Sequence, residues 1–263
     1  MAPNPQRVAL SIAGSDPSGG AGIQADLKTF HQHGVYGMSV LTLLTVQNTQ
    51  AVAAVNPLAA DDVIAQLDAV LTDILPQAIK TGALGACAII EAVADAVQDL
   101  GIPLIVDPVM ISTQGAPLLA PDAVAAMRDR LLPAATLVTP NTHEAAALTG
   151  LQVRDREGMA AAATILAQSS GASVLVKGGH LDAGAADLLL HDGDTHVIEG
   201  ERHDTPHTHG TGCVLSAAIT ARLARGEGLV DAVRAAKHFV NRAIGSNPGL
   251  GHGNGPVNLF AEI

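Results

Sequence analysis

The chain has 263 residues, of which 48% are hydrophobic, 15% are charged and only 2% are aromatic, and its formal net charge is -11. An acidic chain without a run of Lys or Arg offers no electrostatic footprint for nucleic acid or an anionic membrane, so neither is an expected partner. The two cysteines, Cys87 and Cys213, form neither a disulfide framework nor paired metal spacing, which suits a reducing, cytoplasmic compartment.

The length predicts a single domain over residues 1–263, with a core built from Ala, Val, Leu and Ile. The first apolar stretch, residues 8–13, is too short for a signal-peptide core. No stretch reaches the roughly 18 to 20 uninterrupted apolar residues that a membrane span requires. We therefore expect a soluble protein.

Short apolar runs alternate with amphipathic stretches, which is typical of repeated β-α-β units. The predicted strands cover residues 7–13, 40–46, 77–81, 103–107, 136–139 and 173–177. The predicted helices cover residues 23–33, 61–72, 86–100, 121–132, 142–148, 157–168, 212–225 and 229–246. After Gly184, two short runs at 187–191 and 195–198 predict a hairpin. The predicted fold is a doubly wound αβα sandwich, with a mostly parallel sheet and an antiparallel edge.

Polar residues follow nearly every predicted strand, at the edge where an open α/β sheet binds its ligands. They are Gly14-Ser-Asp16, Gln47-Asn48, Thr81-Gly82, Asp107-Pro108, Pro140-Asn141 and Lys177-Gly-Gly-His180. Asp107 and Glu144 could hold Mg²⁺ through waters, although both are also common structural choices at such positions. Lys177 suits the charge of the β- and γ-phosphates, or it simply reaches solvent.

The stretch His209-Gly-Thr-Gly-Cys213 leads directly into a predicted helix. Its glycines allow backbone N–H groups to converge, and the helix start adds partial positive charge, so the loop could hold a phosphate during transfer. An ordinary loop with Gly at a helix start is the alternative. In the first helical turn, the pKa of the Cys213 thiol is expected to fall. Cys87 has no such loop and is interpreted as a packing residue.

A second glycine-rich loop, residues 14–22, follows the first predicted strand. Its glycines fit a dinucleotide pattern, so an NAD-binding oxidoreductase is an alternative, but no acid occurs between Leu27 and Ala60 to bind the ribose. We interpret the loop as a flexible cover over a small substrate. Asp26, one turn beyond it, is either a binding residue or a solvated helix acid. His203, His207 and His209 have no helix to align them, so they make a poor zinc site.

Five stretches together resemble the hydroxymethylpyrimidine kinase/phosphomethylpyrimidine kinase family of thiamine biosynthesis, within the ribokinase superfamily. They are residues 13–28, 34–39, 47–50, 177–180 and 209–213. The resemblance implies a ribokinase-like domain that usually forms a homodimer. It also implies two ATP-dependent steps, from the pyrimidine alcohol to its monophosphate and then to its diphosphate. One departure is Ala83, which stands where many relatives have Met and which could loosen the substrate wall.

The resemblance also implies roles for individual residues. Gln47 and Asp26 would contact the aminopyrimidine, with Ala21 and Val109 lining it. Lys177 and the loop from Gly210 through Thr211 and Gly212 to Cys213 would serve the phosphates of ATP. Asn141 and Glu144 match the superfamily's metal-binding motif.

Cys213 stands where most of the superfamily has an Asp base. Phosphoryl transfer depends mainly on positioning and charge, so a strong base is not essential. The second step attacks with an ionised phosphate, and we therefore predict that Cys213→Ala slows the first step more than the second. A pyridoxal or pyridoxine kinase is the closest alternative function.

Overall fold

The structure is a computed structural model that describes residues 6–112, 115–120, 122–179 and 185–263. Its strands are β1 (Val8–Ser15), β2 (Tyr36–Gln47), β3 (Val52–Pro57), β4 (Ala78–Thr81), β5 (Leu104–Val106), β6 (Leu137–Val138), β7 (Ser173–Val176), β8 (Asp187–His191) and β9 (Asp194–Ile198). Its helices are α1 (Gly22–Gln32), α2 (Ala60–Leu71), α3 (Cys87–Val97), α4 (Ala123–Ala126), α5 (Thr142–Thr149), α6 (Arg156–Ser170), α7 (Thr211–Ala224) and α8 (Leu229–Gly245).

Within these residues the strands form one sheet in the order β3-β2-β1-β4-β5-β6-β7-β8-β9. The six strands from β2 to β7 pair in parallel. At one edge β8 and β9 run antiparallel, as the predicted hairpin requires. At the other edge β3 runs antiparallel to β2, and the sequence analysis did not predict this strand. Asn48 closes the turn between them, because its side chain accepts the N–H groups of Gln50 and Ala51.

Helices cover both faces of the sheet because successive strand side chains point in opposite directions. In β5, Leu104 and Val106 pack into a core beneath α2 to α6, whereas Ile105 packs into a core beneath α7 and α8. Phe30 of α1 joins α7 on that second face. The predicted αβα sandwich is confirmed.

Several element boundaries differ from the prediction, and two of the differences have a clear structural origin. The second strand begins at Tyr36, because its first residues pair in register with β1 from Val8 onward. The predicted helix at 121–132 begins at Ala123, continues as a π-helical turn over Met127–Leu131 and ends in a 3-10 turn over Leu132–Ala134. Pro121, His180 and Gly184 lie outside the described residues.

Among the described helices, none combines the length and the apolar character needed to cross a bilayer. Helix α7 matters most for the site, since it packs against β1, β4 and β5 and brings its first turn to the carboxyl ends of the parallel strands.

Candidate active site

A charged cluster joins the carboxyl ends of β5 and β7. The Nζ atom of Lys177 lies 2.8 Å from Asp107 Oδ1 and 3.8 Å from Glu144 Oε2. Ser216 of α7 donates to Asp107 Oδ2 over 3.2 Å. The predicted convergence of Asp107, Glu144 and Lys177 is therefore present, and Ser216 is a member that the sequence analysis missed.

The pKa values in this cluster depend on burial and on the shared ammonium group. Burial alone would lower the pKa of Lys177, but the carboxylates of Asp107 and Glu144 hold it above its usual range. Burial alone would raise the pKa of Asp107, but Lys177 and Lys80 hold it below its usual range. Burial raises the pKa of Glu144 to about 7, with Lys177 opposing and Asp107 adding to the rise. Lys177 thus stays cationic at neutral pH.

The loop before α7 can be built only with glycine at residue 210. Gly210 is the N-cap of α7 with φ +81°, and a Cβ there would overlap the carbonyl oxygen of Gly20. The first turn of a helix leaves its N–H groups without intrahelical acceptors. A Cβ on Gly212, in that turn, would lie 3.3 Å from Lys177 Nζ. Backbone donors and the Lys177 ammonium therefore converge, which is the arrangement that a phosphate group requires.

The Cys213 thiol does not have the lowered pKa expected at a helix start. Burial raises the pKa of Cys213 to about 11, with Lys80 opposing and the carboxylates of Asp26 and Asp107 adding to the rise. The partial charge of the helix is outweighed by the loss of water and by the two anions. The group is therefore a neutral thiol at physiological pH, and the expectation of a lowered pKa is wrong.

Asp26 is completely buried, so the interpretation as a solvated helix acid is wrong. Its Oδ1 lies 2.6 Å from Lys80 Nζ, and its Oδ2 accepts a hydrogen bond of 2.6 Å from Ser11 Oγ. Burial opposes the charge on Lys80, yet the Asp26 carboxylate holds the pKa of that lysine above its usual range. Sequence reasoning missed Lys80, although a lone lysine in the apolar strand Ala78–Thr81 was a signal that a buried partner exists.

Asp16, at the end of β1, ties the two glycine-rich loops together. Its carboxylate accepts the N–H groups of Ser18 and Ala21, and its Oδ2 lies 2.8 Å from His209 Nε2. The Gln47 amide lies 3.2 Å from the same His209 nitrogen. The loop at 14–22 is thus held by its own hydrogen bonds and by His209.

The expected substrate-lining residues fall in two places. Ala21 and Gln47 both border the Asp16–His209 pair. Val109 follows β5, where its N–H donates to the carbonyl of Asp107 over 2.8 Å. Two of the three expected residues therefore lie beside the first glycine-rich loop, and the third lies beside the charged cluster.

The proposed metal ligands do not offer three open oxygen atoms. Asn141 caps α5, where its Oδ1 accepts the N–H groups of His143 and Glu144, and Glu144 Oε2 accepts the Asn141 N–H over 2.7 Å. The described residues contain no group of three or more His, Cys, Asp or Glu side chains placed to hold a metal ion. Mg²⁺ prefers to keep several waters, so Asp107 and Glu144 fit a water-mediated role while Asn141 positions Glu144.

The sequence has extensive matches among known proteins. The model of the phosphomethylpyrimidine kinase family matches residues 16–258. A hydroxymethylpyrimidine/phosphomethylpyrimidine kinase from Rhizobium meliloti (strain 1021) is 50% identical over 257 residues, which cover 96% of this chain and 97% of that relative.

Two solved structures share the whole architecture. The ADP complex of Bacillus subtilis pyridoxal kinase has a TM-score of 0.90 and 40% identity, covering 97% of this chain and 98% of its own. The phosphomethylpyrimidine kinase of Clostridium difficile 630 has a TM-score of 0.81 and 40% identity, covering 91% of this chain and 100% of its own. The predicted ribokinase-like fold is confirmed.

Proposed function

The chain belongs to the phosphomethylpyrimidine kinase family, and from this premise we propose that it phosphorylates 4-amino-5-hydroxymethyl-2-methylpyrimidine twice, using ATP, on the way to thiamine diphosphate. The single observation that carries this proposal is the position of the Lys177 ammonium beside Gly212 in the first turn of α7. A cation and a set of backbone donors directed at one point stabilise the charge of a phosphoryl group in transfer.

We assign the phosphate contacts to Lys177 and to the loop from Gly210 through Thr211 and Gly212 to Cys213. In the first step the hydroxymethyl oxygen bonds to the γ-phosphorus, the bond to ADP breaks and the hydroxyl proton leaves. In the second step a phosphate oxygen attacks and has no proton to lose. Any role of Cys213 as a base therefore belongs to the first step alone, and it would require the thiolate, which is a minor form at neutral pH because the pKa of the thiol is about 11.

We assign the pyrimidine wall to Gln47, Ala21 and Val109. An amide side chain offers both a donor and acceptors, which suits an exocyclic amine beside a ring nitrogen. We assign Asp26 no direct contact with the pyrimidine, because its side chain has no exposed surface and its oxygens already bind Lys80 and Ser11.

In this proposal ATP binds as its Mg²⁺ complex, and the ion would neutralise part of the phosphate charge. Asp107 and Glu144 would reach it through water, and the Asn141 cap would hold Glu144 in place. The chain would act as one domain over residues 1–263, as a cytoplasmic homodimer.

The test compares turnover of the hydroxymethylpyrimidine with turnover of pyridoxine, using ATP and Mg²⁺. A higher kcat/KM for the pyrimidine, with ADP released at each of two steps, supports the proposal. A higher kcat/KM for pyridoxine would instead assign the chain to the activity named for the Bacillus subtilis neighbour. Lys177→Met should abolish both steps, whereas His238→Met, at an exposed position of α8, serves as the control.

A further inference from the structure

The Asp16 carboxylate is surrounded by hydrogen-bond donors. Its Oδ1 accepts from the backbone N–H and the hydroxyl of Ser18, and its Oδ2 accepts from the Ala21 N–H. The fourth partner is His209 Nε2, at 2.8 Å from Oδ2. A carboxylate so placed acts only as an acceptor. His209 Nε2 therefore carries a proton and donates it to Asp16.

This protonation determines which end of the Gln47 amide can face His209. The amide nitrogen lies 3.2 Å from His209 Nε2, but two N–H donors cannot bond to each other. A half-turn of the terminal amide exchanges its oxygen and nitrogen without changing its shape. His209 Nε2 has a single hydrogen, so its bond is three-centred, with the shorter branch to Asp16 Oδ2 at 2.8 Å and the longer branch, at 3.2 Å, to the oxygen end of the Gln47 amide. The NH₂ group of Gln47 then faces away from His209.

We propose that Asp16 and His209 are positioning residues, which orient the Gln47 amide so that its NH₂ group donates to an acceptor nitrogen of the pyrimidine ring. The inference rests on the proposed function, since it takes Gln47 as a substrate contact. It adds to that function the feature that recognises the pyrimidine ring. The Gln47 amide is held in one orientation, so its NH₂ group is a fixed hydrogen-bond donor.

The orientation of the Gln47 amide also depends on how the loop at 14–22 packs against the loop before α7. A Cβ on Gly20 would lie 2.8 Å from the His209 ring, and one on Gly210 would overlap the Gly20 carbonyl oxygen. His209 and Asp16 can therefore meet only when the loop at 14–22 is seated on the loop before α7.

The test measures KM and kcat for the hydroxymethylpyrimidine and for ATP in variants of His209. His209→Met removes the donor while keeping the bulk of the side chain, and it should raise the pyrimidine KM about tenfold with little change in the KM for ATP. His209→Gln has an amide N–H that can replace the Nε2 donor, and it should limit the rise to about threefold. His238→Met is the matched control, and the melting temperature of each variant shows whether it folds.

Two further variants test whether His209 acts through Gln47. The double variant His209→Met/Gln47→Met should have the same pyrimidine KM as Gln47→Met alone. Gln47→Glu should bind the pyrimidine more weakly than Gln47→Met, because a carboxylate presents only acceptors to the acceptor nitrogen of the ring.

Three results would overturn the inference while leaving the proposed function intact. In the first, the double variant raises the pyrimidine KM by the product of the two single-variant factors. In the second, His209→Gln raises the pyrimidine KM as much as His209→Met does. In the third, Gln47→Glu binds the pyrimidine more tightly than Gln47→Met. If the unmodified chain phosphorylates no hydroxymethylpyrimidine, the proposed function itself fails.

Discussion

The Lys80 ammonium lies 2.6 Å from the Asp26 carboxylate, and neither side chain has any exposed surface. This ion pair joins the central strand β4 to α1, directly behind the loop that carries Cys213. A fully buried pair is costly to form, but it is far more costly to break on one side only, because the remaining charge has neither water nor a partner.

Lys80→Met should therefore lower the free energy of unfolding by about 3 to 5 kcal/mol, as measured by urea denaturation. The double variant Lys80→Met/Asp26→Leu leaves no unpaired charge and should recover most of that loss. If the double variant is as unstable as the single one, the pair contributes through packing and not through charge.

Gly210 and Gly212 should respond differently to the same substitution by alanine. Gly210→Ala should destabilise the fold and abolish activity, because a Cβ at φ +81° would overlap the Gly20 carbonyl oxygen. Gly212→Ala should leave the unfolding midpoint unchanged or slightly raised, since alanine favours a helix, yet it should raise the KM for ATP by crowding the Lys177 ammonium. Thermal melts and steady-state kinetics on both variants separate the two effects, and equal losses of stability would contradict the assignment.

The pH dependence of the two phosphorylation steps should reveal whether Cys213 acts as a base. With a pKa of about 11, the fraction of thiolate rises roughly tenfold for each pH unit from 7 to 10. The single-turnover rate of the first step should rise with pH in the unmodified chain and stay flat in Cys213→Ala, while the second step is little affected by the substitution. Parallel pH profiles for both proteins would restrict Cys213 to a contact with the phosphate.

His33 should make the fold sensitive to mild acid. Burial lowers the pKa of His33 to about 4, with a hydrogen bond to Thr29 opposing and Arg222 and Arg225 adding to the fall. In the unfolded chain the imidazole takes up a proton near its ordinary pKa of 6.5, whereas in the folded chain it does so only near pH 4. The free energy of unfolding is therefore unaffected by His33 above pH 6.5 and falls between pH 6.5 and 4.

Between pH 6.5 and 4, the free energy of unfolding of the unmodified chain should therefore fall by about 3 kcal/mol relative to that of His33→Asn. Asparagine keeps a donor for the Thr29 carbonyl, which His33 Nδ1 contacts at 2.9 Å. Urea denaturation of both proteins at a series of pH values measures the difference. A constant difference from pH 7.5 to 4 would show that His33 takes up its proton at the same pH in the folded and the unfolded chain.

The sequence alone determined the layered αβα fold and the position of the glycine-rich turn before α7. Both follow from local patterns, since apolar periodicity distinguishes strand from helix and a run of glycines directly before an apolar helical stretch marks the turn that leads into it. It did not predict β3, because the run from Val52 to Pro57 becomes a strand only by pairing with the edge of β2.

Only the tertiary structure decided which side chains meet. Asp16 and His209 are 193 residues apart in the chain, and Asp26 and Lys80 are 54 apart, so no local spacing joins either pair. The Cys213 pKa was predicted in the wrong direction for a related reason. A helix start, which lowers a thiol pKa, is visible in the sequence. The burial of Cys213 and the nearby carboxylates of Asp26 and Asp107, which raise its pKa, arise only when the sheet and helices have assembled.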